Sequence, residues 1–244
     1  MSNEFVRGQY ESVKHNNLRD TYTASLEVID KLNYPLQDLI EHFPAFTGHL
    51  TLARFISLYE IYKSTLGVAG HIAEVGVYKG SGSLFFAKLI KLYEGSALTQ
   101  VHGFDWFKGT GCLNAEEEKY LIKGGYRESQ ERLLALINSQ NLSNTLFLHD
   151  LDLASPDLNL FFDTHQHLQF KIVFFDCGIY SVMNNALPIF WERLTPGGIM
   201  IFDQYNFELA PGETQAIRKF LKTKKVLTFQ NGWMPNAYVI KNDF

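Results

Sequence analysis

The stretch Glu74-Val-Gly76-Val-Tyr78-Lys-Gly80-Ser81-Gly82-Ser83 decides the fold. It follows a strand-like run, His71 to Val75, and leads into a helix-like one, Ser83 to Tyr93. A strand, a glycine-rich turn and a helix in that order bring backbone close to a ligand and aim a helix N-terminus at it. The spacing is not Gly-x-Gly-x-x-Gly, and Glu74 stands at the strand end ahead of the first glycine. A carboxylate there repels a pyrophosphate and attracts the α-ammonium of S-adenosylmethionine. Glu74, Gly76, Tyr78, Gly80 and Ser81 are therefore candidate cofactor contacts. An ordinary glycine-rich strand–helix turn is the alternative.

Downstream, short apolar runs alternate with amphipathic stretches. Strands are expected over Gln100 to Phe104, Thr145 to Leu148, Lys171 to Phe175 and Ile199 to Phe202. Helices are expected over Tyr126 to Asn138, Pro156 to Phe162, Val182 to Leu194 and Glu213 to Lys222, with a Pro196-Gly197-Gly198 turn before the fifth strand. The run from Lys171 to Phe175 is continuous, as in a parallel strand buried on both faces. Such alternation predicts an α/β fold, a mostly parallel twisted sheet covered by helices on both sides. The last two β-like runs, Val226 to Phe229 and Ala237 to Ile240, lie too close for a helical crossover. They must pair as a hairpin, which makes the last strand antiparallel.

Upstream the texture is helical. Asp20 to Leu32 and Leu50 to Leu66 space apolar residues at helical intervals, among them Leu52, Phe55, Ile56, Tyr59 and Tyr62. Residues 1–66 are expected to form a lid and substrate region. Residues 67–244 are expected to form the cofactor-binding domain, and the two make one structural unit. A chain of 244 residues can bury a core large enough to fold without disulfides or a structural metal. Its net charge of -4 gives no case for nucleic acid or an anionic membrane as partner. The two cysteines, Cys112 and Cys177, form no metal or disulfide pattern, and no signal peptide or membrane span is legible, so a cytoplasmic protein is expected.

Ligands of open α/β sheets bind beyond the carboxyl ends of the strands, so the residues after each strand carry the chemistry. Asp105 is placed to accept the two hydroxyls of a ribose, in this cofactor or in a dinucleotide. Trp106 and Phe107 either close over the cofactor or pack in the core. Asp150 is a candidate for an adenine amino group, or else a cap for the turn that follows. Asp176 and Asp203 end strands that meet over the mouth of the sheet. They could hold a divalent cation, accept a proton from a substrate hydroxyl, or cap helices, and Asp176 is also a candidate cofactor contact. Glu213 opens the last helix, where a glutamate is also at home for electrostatic reasons alone.

In this order, Glu74-x-Gly76-Val-x-x-Gly80-Ser81, Gly103-Phe104-Asp105-x-Phe107-x-Gly109, Asp176-x-x-x-Tyr180, Pro196-Gly197-Gly198 and Asp203-x-Tyr205 resemble the macrocin O-methyltransferase family. Pro211-Gly212-Glu213-Thr214 resembles its branch of deoxyhexose 3-O-methyltransferases acting on nucleotide sugars. The resemblance implies a Rossmann-like class I methyltransferase fold, S-adenosylmethionine as methyl donor and a Mg²⁺ ion near a sugar hydroxyl. It assigns Glu74, Gly76, Gly80 and Ser81 to the methionine end, Asp105 to the ribose, Asp150 to the adenine, and Asp176 and Asp203 to the metal. Two positions depart from it. Gly178 and Gln204 stand where many relatives carry acidic residues. Both changes take negative charge from the metal site and leave Asp203 or Glu213 as candidate base. A phenolic or other small acceptor is the alternative substrate, and a catalytically silent cofactor-binding subunit the alternative role. A small-molecule partner is expected in either enzyme reading, and the apolar N-terminal region suits a homo-oligomer as well as it suits covering the sheet.

Overall fold

The computed structural model describes residues 19–222, 224–230 and 233–242. Residues 1–18 of the expected lid lie outside the described residues. The chain opens with helices α1 (Arg19–Leu32), α2 (Leu36–Glu41), α3 (Phe43–Phe46) and α4 (His49–Ser64). Strand β1 (His71–Val75) and helix α5 (Ser81–Tyr93) follow, then β2 (Val101–Asp105), α6 (Gln130–Ser139), β3 (Leu146–Asp150) and α7 (Asp157–Thr164). The second half runs β4 (Phe170–Phe175), α8 (Tyr180–Arg193), β5 (Leu194–Phe202), α9 (Pro211–Leu221), β6 (Leu227–Thr228) and β7 (Ala237–Ile240).

The strands form one seven-stranded sheet in the order β3-β2-β1-β4-β5-β7-β6. The first five are parallel, while β7 runs antiparallel to both β5 and β6. Sequence order reverses between β1 and β4, which opens a crevice at their carboxyl ends. β4 is buried along its whole length, as the apolar run Ile172 to Phe175 requires. Val173 and Phe175 pack with Leu158, Phe162, Met183, Phe190 and Ile217 of α7, α8 and α9 on one face. Ile172 and Phe174 pack with Leu58, Tyr62, Phe86 and Ile90 of α4 and α5 on the other.

Two expectations shift. The helix expected from Tyr126 starts at Gln130, because Tyr126 takes a left-handed φ of 55° and Ser129 caps the helix by accepting from the Arg132 amide. Pro196-Gly197-Gly198, expected as a turn before β5, lies inside it as an irregularity. Leu194 pairs with Phe170, and regular pairing resumes only at Ile199 with Ile172. The N-terminal region also divides. α2 and α3 bury no residue, whereas α4 buries Leu58, Ile61 and Tyr62 in the core. Each of those side chains contributes roughly 1.5–3 kcal/mol of burial, which makes α4 part of the sheet's own cover.

Lys171 interrupts the apolar run of β4, and its ammonium is almost fully buried. It donates to both carboxylate oxygens of Glu94 at 2.9 Å. Glu94 also accepts from the Tyr62 hydroxyl and from Thr99 Oγ1, each at 2.7 Å. This network joins α4, the end of α5 and the start of β4. Glu94→Ala strands a buried ammonium and is expected to lower the unfolding free energy by about 3 kcal/mol in a urea titration. Lys171→Met should cost less, because Glu94 keeps its two hydroxyl partners.

Histidines gather on the α7 side of β2 and β3. His102 Nδ1 lies 3.0 Å from His149 Nε2, and Phe104, Phe161 and Phe170 enclose the pair. Burial, with His149 adding to it, lowers the His102 pKa to about 3, and burial beside His165 lowers that of His149 to about 4. In the unfolded chain both rings take up protons below about pH 6.5. The unfolded state therefore binds more protons from that pH down to the folded values, and stability falls as the pH drops through this window. Urea midpoints at pH 7 and pH 5 should differ more for the wild type than for His102→Asn.

Candidate functional site

A cavity of about 550 Å³ occupies the crevice beyond β1 and β4. Its floor is built by the strand ends. Asp105, Asp176 and Asp203 all line it, as do Gly76, Tyr78 and Ser81 from the first turn. Backbone bonds from Gly76 N to Phe104 O, Asp176 N to Val75 O and Asp203 N to Phe175 O hold these ends side by side.

Asp105 is fixed by three backbone donors. Val77 N and Tyr78 N donate to Oδ2 at 2.8 and 3.1 Å, and Phe107 N donates to Oδ1 at 2.8 Å. A carboxylate offers about four lone-pair sites, so about one remains for a ligand. The Tyr78 hydroxyl, at the same wall, is buried without a hydrogen-bond partner among the described residues. Tyr126 meets the Tyr78 ring edge-on at 5.3 Å and also lines the cavity. Trp106 lines it too, with its indole N–H donating to Gly109 O.

Glu74 is turned away from the cavity. Its carboxyl group accepts from Ser83 N at 2.6 Å and from the Ser83 hydroxyl, which satisfies an amide in the first turn of α5. Gly82 leaves the room for it, since a Cβ there would overlap Glu74 Oε1. Burial pushes the Glu74 pKa up to about 8, with Asp176 adding to the rise and Ser83 and Arg54 opposing it. Asp150 is exposed at the end of β3 and outside the cavity wall, which is made by Leu151, Asp152, Leu153 and Ala154 instead. Glu213 is fully buried behind the site, where its Oε1 accepts from Gln204 N at 2.9 Å and its Oε2 has no partner among the described residues. Burial, then repulsion from Asp203, raises its pKa well above the usual carboxylate range. Glu213 is not among the residues that line the cavity, so the structure does not bring this candidate base to the acceptor side.

The largest difference from the sequence reading is Arg54, on α4. Its guanidinium is buried between the two strand-end carboxylates, with Nη2 donating to Asp176 Oδ2 and Nη1 donating to Asp203 Oδ1. Burial works against its charge, but Asp176 and Asp203, helped by Glu74, overcome that and hold the group charged. The other oxygen of Asp203 accepts from Gln204 Nε2 at 2.8 Å. A signal for Arg54 was present: it falls on the buried stripe of α4 with Ser57, Leu58, Ile61 and Tyr62. A cation on that stripe calls for buried anions.

The expected Mg²⁺ site does not fit these residues. Magnesium ligation needs near-octahedral oxygen geometry. Here a guanidinium fills the gap between the two carboxylates, Gly178 offers no side chain, and Gln204 turns its NH₂ toward Asp203. The two departures from the family pattern explain one another. Gly178 takes φ 61°, and a Cβ on it would stand 2.5 Å from Gln204 Oε1.

One wall comes from the irregular segment 106–129, which contributes Gly109, Thr110, Gly111, Cys112, Leu121 and Tyr126. Glu117 pins it. Its Oε1 accepts from Tyr180 N at the start of α8 and its Oε2 from Asn114 N at 2.9 Å. A buried carboxylate at a helix N-terminus is favoured by the helix dipole as well as by the hydrogen bond.

This crevice, with a carboxylate at the end of β2 and two more at the ends of β4 and β5, lies at the order reversal of a Rossmann-like sheet. A methyltransferase-domain family model matches residues 73–205, more than half of the chain, and the chain belongs to that family. It is an S-adenosylmethionine-dependent methyltransferase. Among solved structures it is similar to CalS11, a calicheamicin methyltransferase, with a TM-score of 0.81 and 22% identity over 92% of each chain. An apo structure of CalS11, described as a TDP-rhamnose 3'-O-methyltransferase, gives 0.74 at 22% identity, covering 92% of this chain and 94% of that one. The O-methyltransferase NovP gives 0.64 at 14% identity, covering 78% and 80%. No curated protein sequence matches. Among the described residues no helix is long and apolar enough to cross a membrane.

The Gly178–Gln204 fit is testable. Gly178→Ala is expected to destabilise by about 1–2 kcal/mol from its left-handed backbone alone. The contact with Gln204 adds to that cost. In a Gln204→Ala background the added part should vanish, a coupling of at least about 0.5 kcal/mol in a double-mutant cycle of thermal melts.

Proposed function

We infer that this methyltransferase acts on a hydroxyl oxygen of a sugar, a nucleotide-activated deoxyhexose. The observation that carries the reading is the placement of Asp176 and Asp203, bound to one cation, on the cavity floor that also holds the cofactor-type residues Gly76, Tyr78 and Asp105. A polar, carboxylate-lined acceptor end suits a hydroxyl group that must be oriented and deprotonated. The sugar-methylating function named for CalS11 belongs to a chain of the same fold and supports the choice.

In this reading Gly76 and Ser81 flank the methionine end, Asp105 accepts from one ribose hydroxyl, and the Leu151–Ala154 segment receives the adenine. The unpartnered Tyr78 hydroxyl gives a ligand a buried hydrogen-bond partner. S-adenosylmethionine supplies an activated methyl group, which the acceptor oxygen takes as the carbon–sulfur bond breaks with its electron pair going to sulfur. The residues of this chain align the acceptor and receive its proton. The side chain of Asp203 is only 4% exposed, against 24% for Asp176. Asp176 is therefore the proton acceptor, and Asp203 fixes Arg54.

Calorimetric titration with S-adenosylmethionine should show saturable binding, weakened about tenfold or more by Asp105→Ala through loss of a charge-assisted hydrogen bond. Incubation with a panel of nucleotide-activated deoxyhexoses should yield a product heavier by one methylene. Asp176→Asn should lower kcat by roughly 10²-fold with cofactor affinity kept. Cofactor binding without transfer to any of these acceptors would defeat the sugar reading and leave a phenolic or other small acceptor, or a silent cofactor-binding subunit.

A further inference from the structure

We propose that Arg54 takes the place of the divalent cation in this active site, so that methyl transfer runs without Mg²⁺. The proposal rests on the methyl-transfer reading for its consequence and on the site's geometry for its content. Three facts converge. The guanidinium occupies the space between Asp176 and Asp203 and donates to one oxygen of each. The positions that would complete an oxygen shell are a glycine and an amide whose nitrogen faces Asp203. The arginine comes from α4, whose packing in the core through Leu58, Ile61 and Tyr62 fixes the guanidinium in place.

A fork of N–H donors matches two carboxylates as a cation of fixed position, and it carries its charge at every working pH. It cannot ligate an alkoxide as a metal does. It can hold the two carboxylates 27 residues apart in sequence in one orientation and keep positive charge beside the acceptor oxygen. Arg54 is thus a positioning residue: it aims Asp176 at the acceptor and neutralises Asp203. The Gly178 and Gln204 positions follow from it, because a site with a built-in monocation needs fewer anions than one that binds a dication.

The test is titration of MgCl₂ into wild-type protein, Arg54→Met and Arg54→Lys, read by calorimetry and by melting temperature. Wild type should give no saturable heat, and its turnover should survive exhaustive chelation. Arg54→Met uncovers two carboxylates and should gain saturable Mg²⁺ binding and a Mg²⁺-dependent rise in melting temperature, while losing at least about tenfold in kcat/KM. Arg54→Lys, which keeps the charge and loses the fork, should fold and stay silent to Mg²⁺. Saturable Mg²⁺ binding by wild type, or loss of its turnover on chelation, would overturn the proposal. So would an Arg54→Met protein that folds and ignores Mg²⁺. If no acceptor is methylated, the sugar reading fails, and the Mg²⁺ titrations still decide this one.

Discussion

One guanidinium buried between two carboxylates ties the N-terminal helix α4 to the carboxyl rim of the sheet. Without Arg54, Asp176 and Asp203 would stand as two anions side by side, and each would raise the cost of ionising the other. With it, each carboxylate has a cationic partner in the gap between the two strand ends. The rest of the centre is arranged around that triad. Gln204 turns its amide nitrogen to Asp203, Gly178 leaves the space for Gln204, and Glu213 holds the Gln204 backbone from behind.

The sheet's order reversal places the cofactor-type residues and the acceptor-type residues on either side of one line, β1 and β2 on one hand, β4 and β5 on the other. Glu74 shows how a motif residue can serve the fold first. It was expected at the methionine end for its charge, yet it satisfies the opening turn of α5, and its own burial favours the protonated form. At the strand end it thus serves the opening turn of α5.

Strand and helix positions were legible because each has a periodic local signal. β1 falls on His71–Val75 as expected, and β4 begins one residue early, at Phe170. The Rossmann-like order and the antiparallel end followed from segment lengths. Side-chain direction was not legible. Nothing in the local sequence tells Asp150, which faces solvent, from Asp152, which lines the cavity two residues on. Arg54 and Glu117 were missed for a different reason: their partners lie 122 and 63 residues away, at Asp176 and Tyr180. Only the buried stripe on α4 hinted at the first, and the segment holding Glu117 has no periodicity to read.

Helix α4 carries two anchors of opposite placement. Arg54, near its start, reaches the carboxyl rim, while Tyr62, near its end, donates to the Glu94 carboxylate that pairs with Lys171 at the amino end of β4. The helix is therefore strapped across the sheet from rim to rim and works as a brace. The rest of the crevice wall is supplied by Tyr22 of α1 and by the segment that Glu117 pins to the start of α8. A brace tied at both rims keeps the charged centre in register with the sheet that carries it.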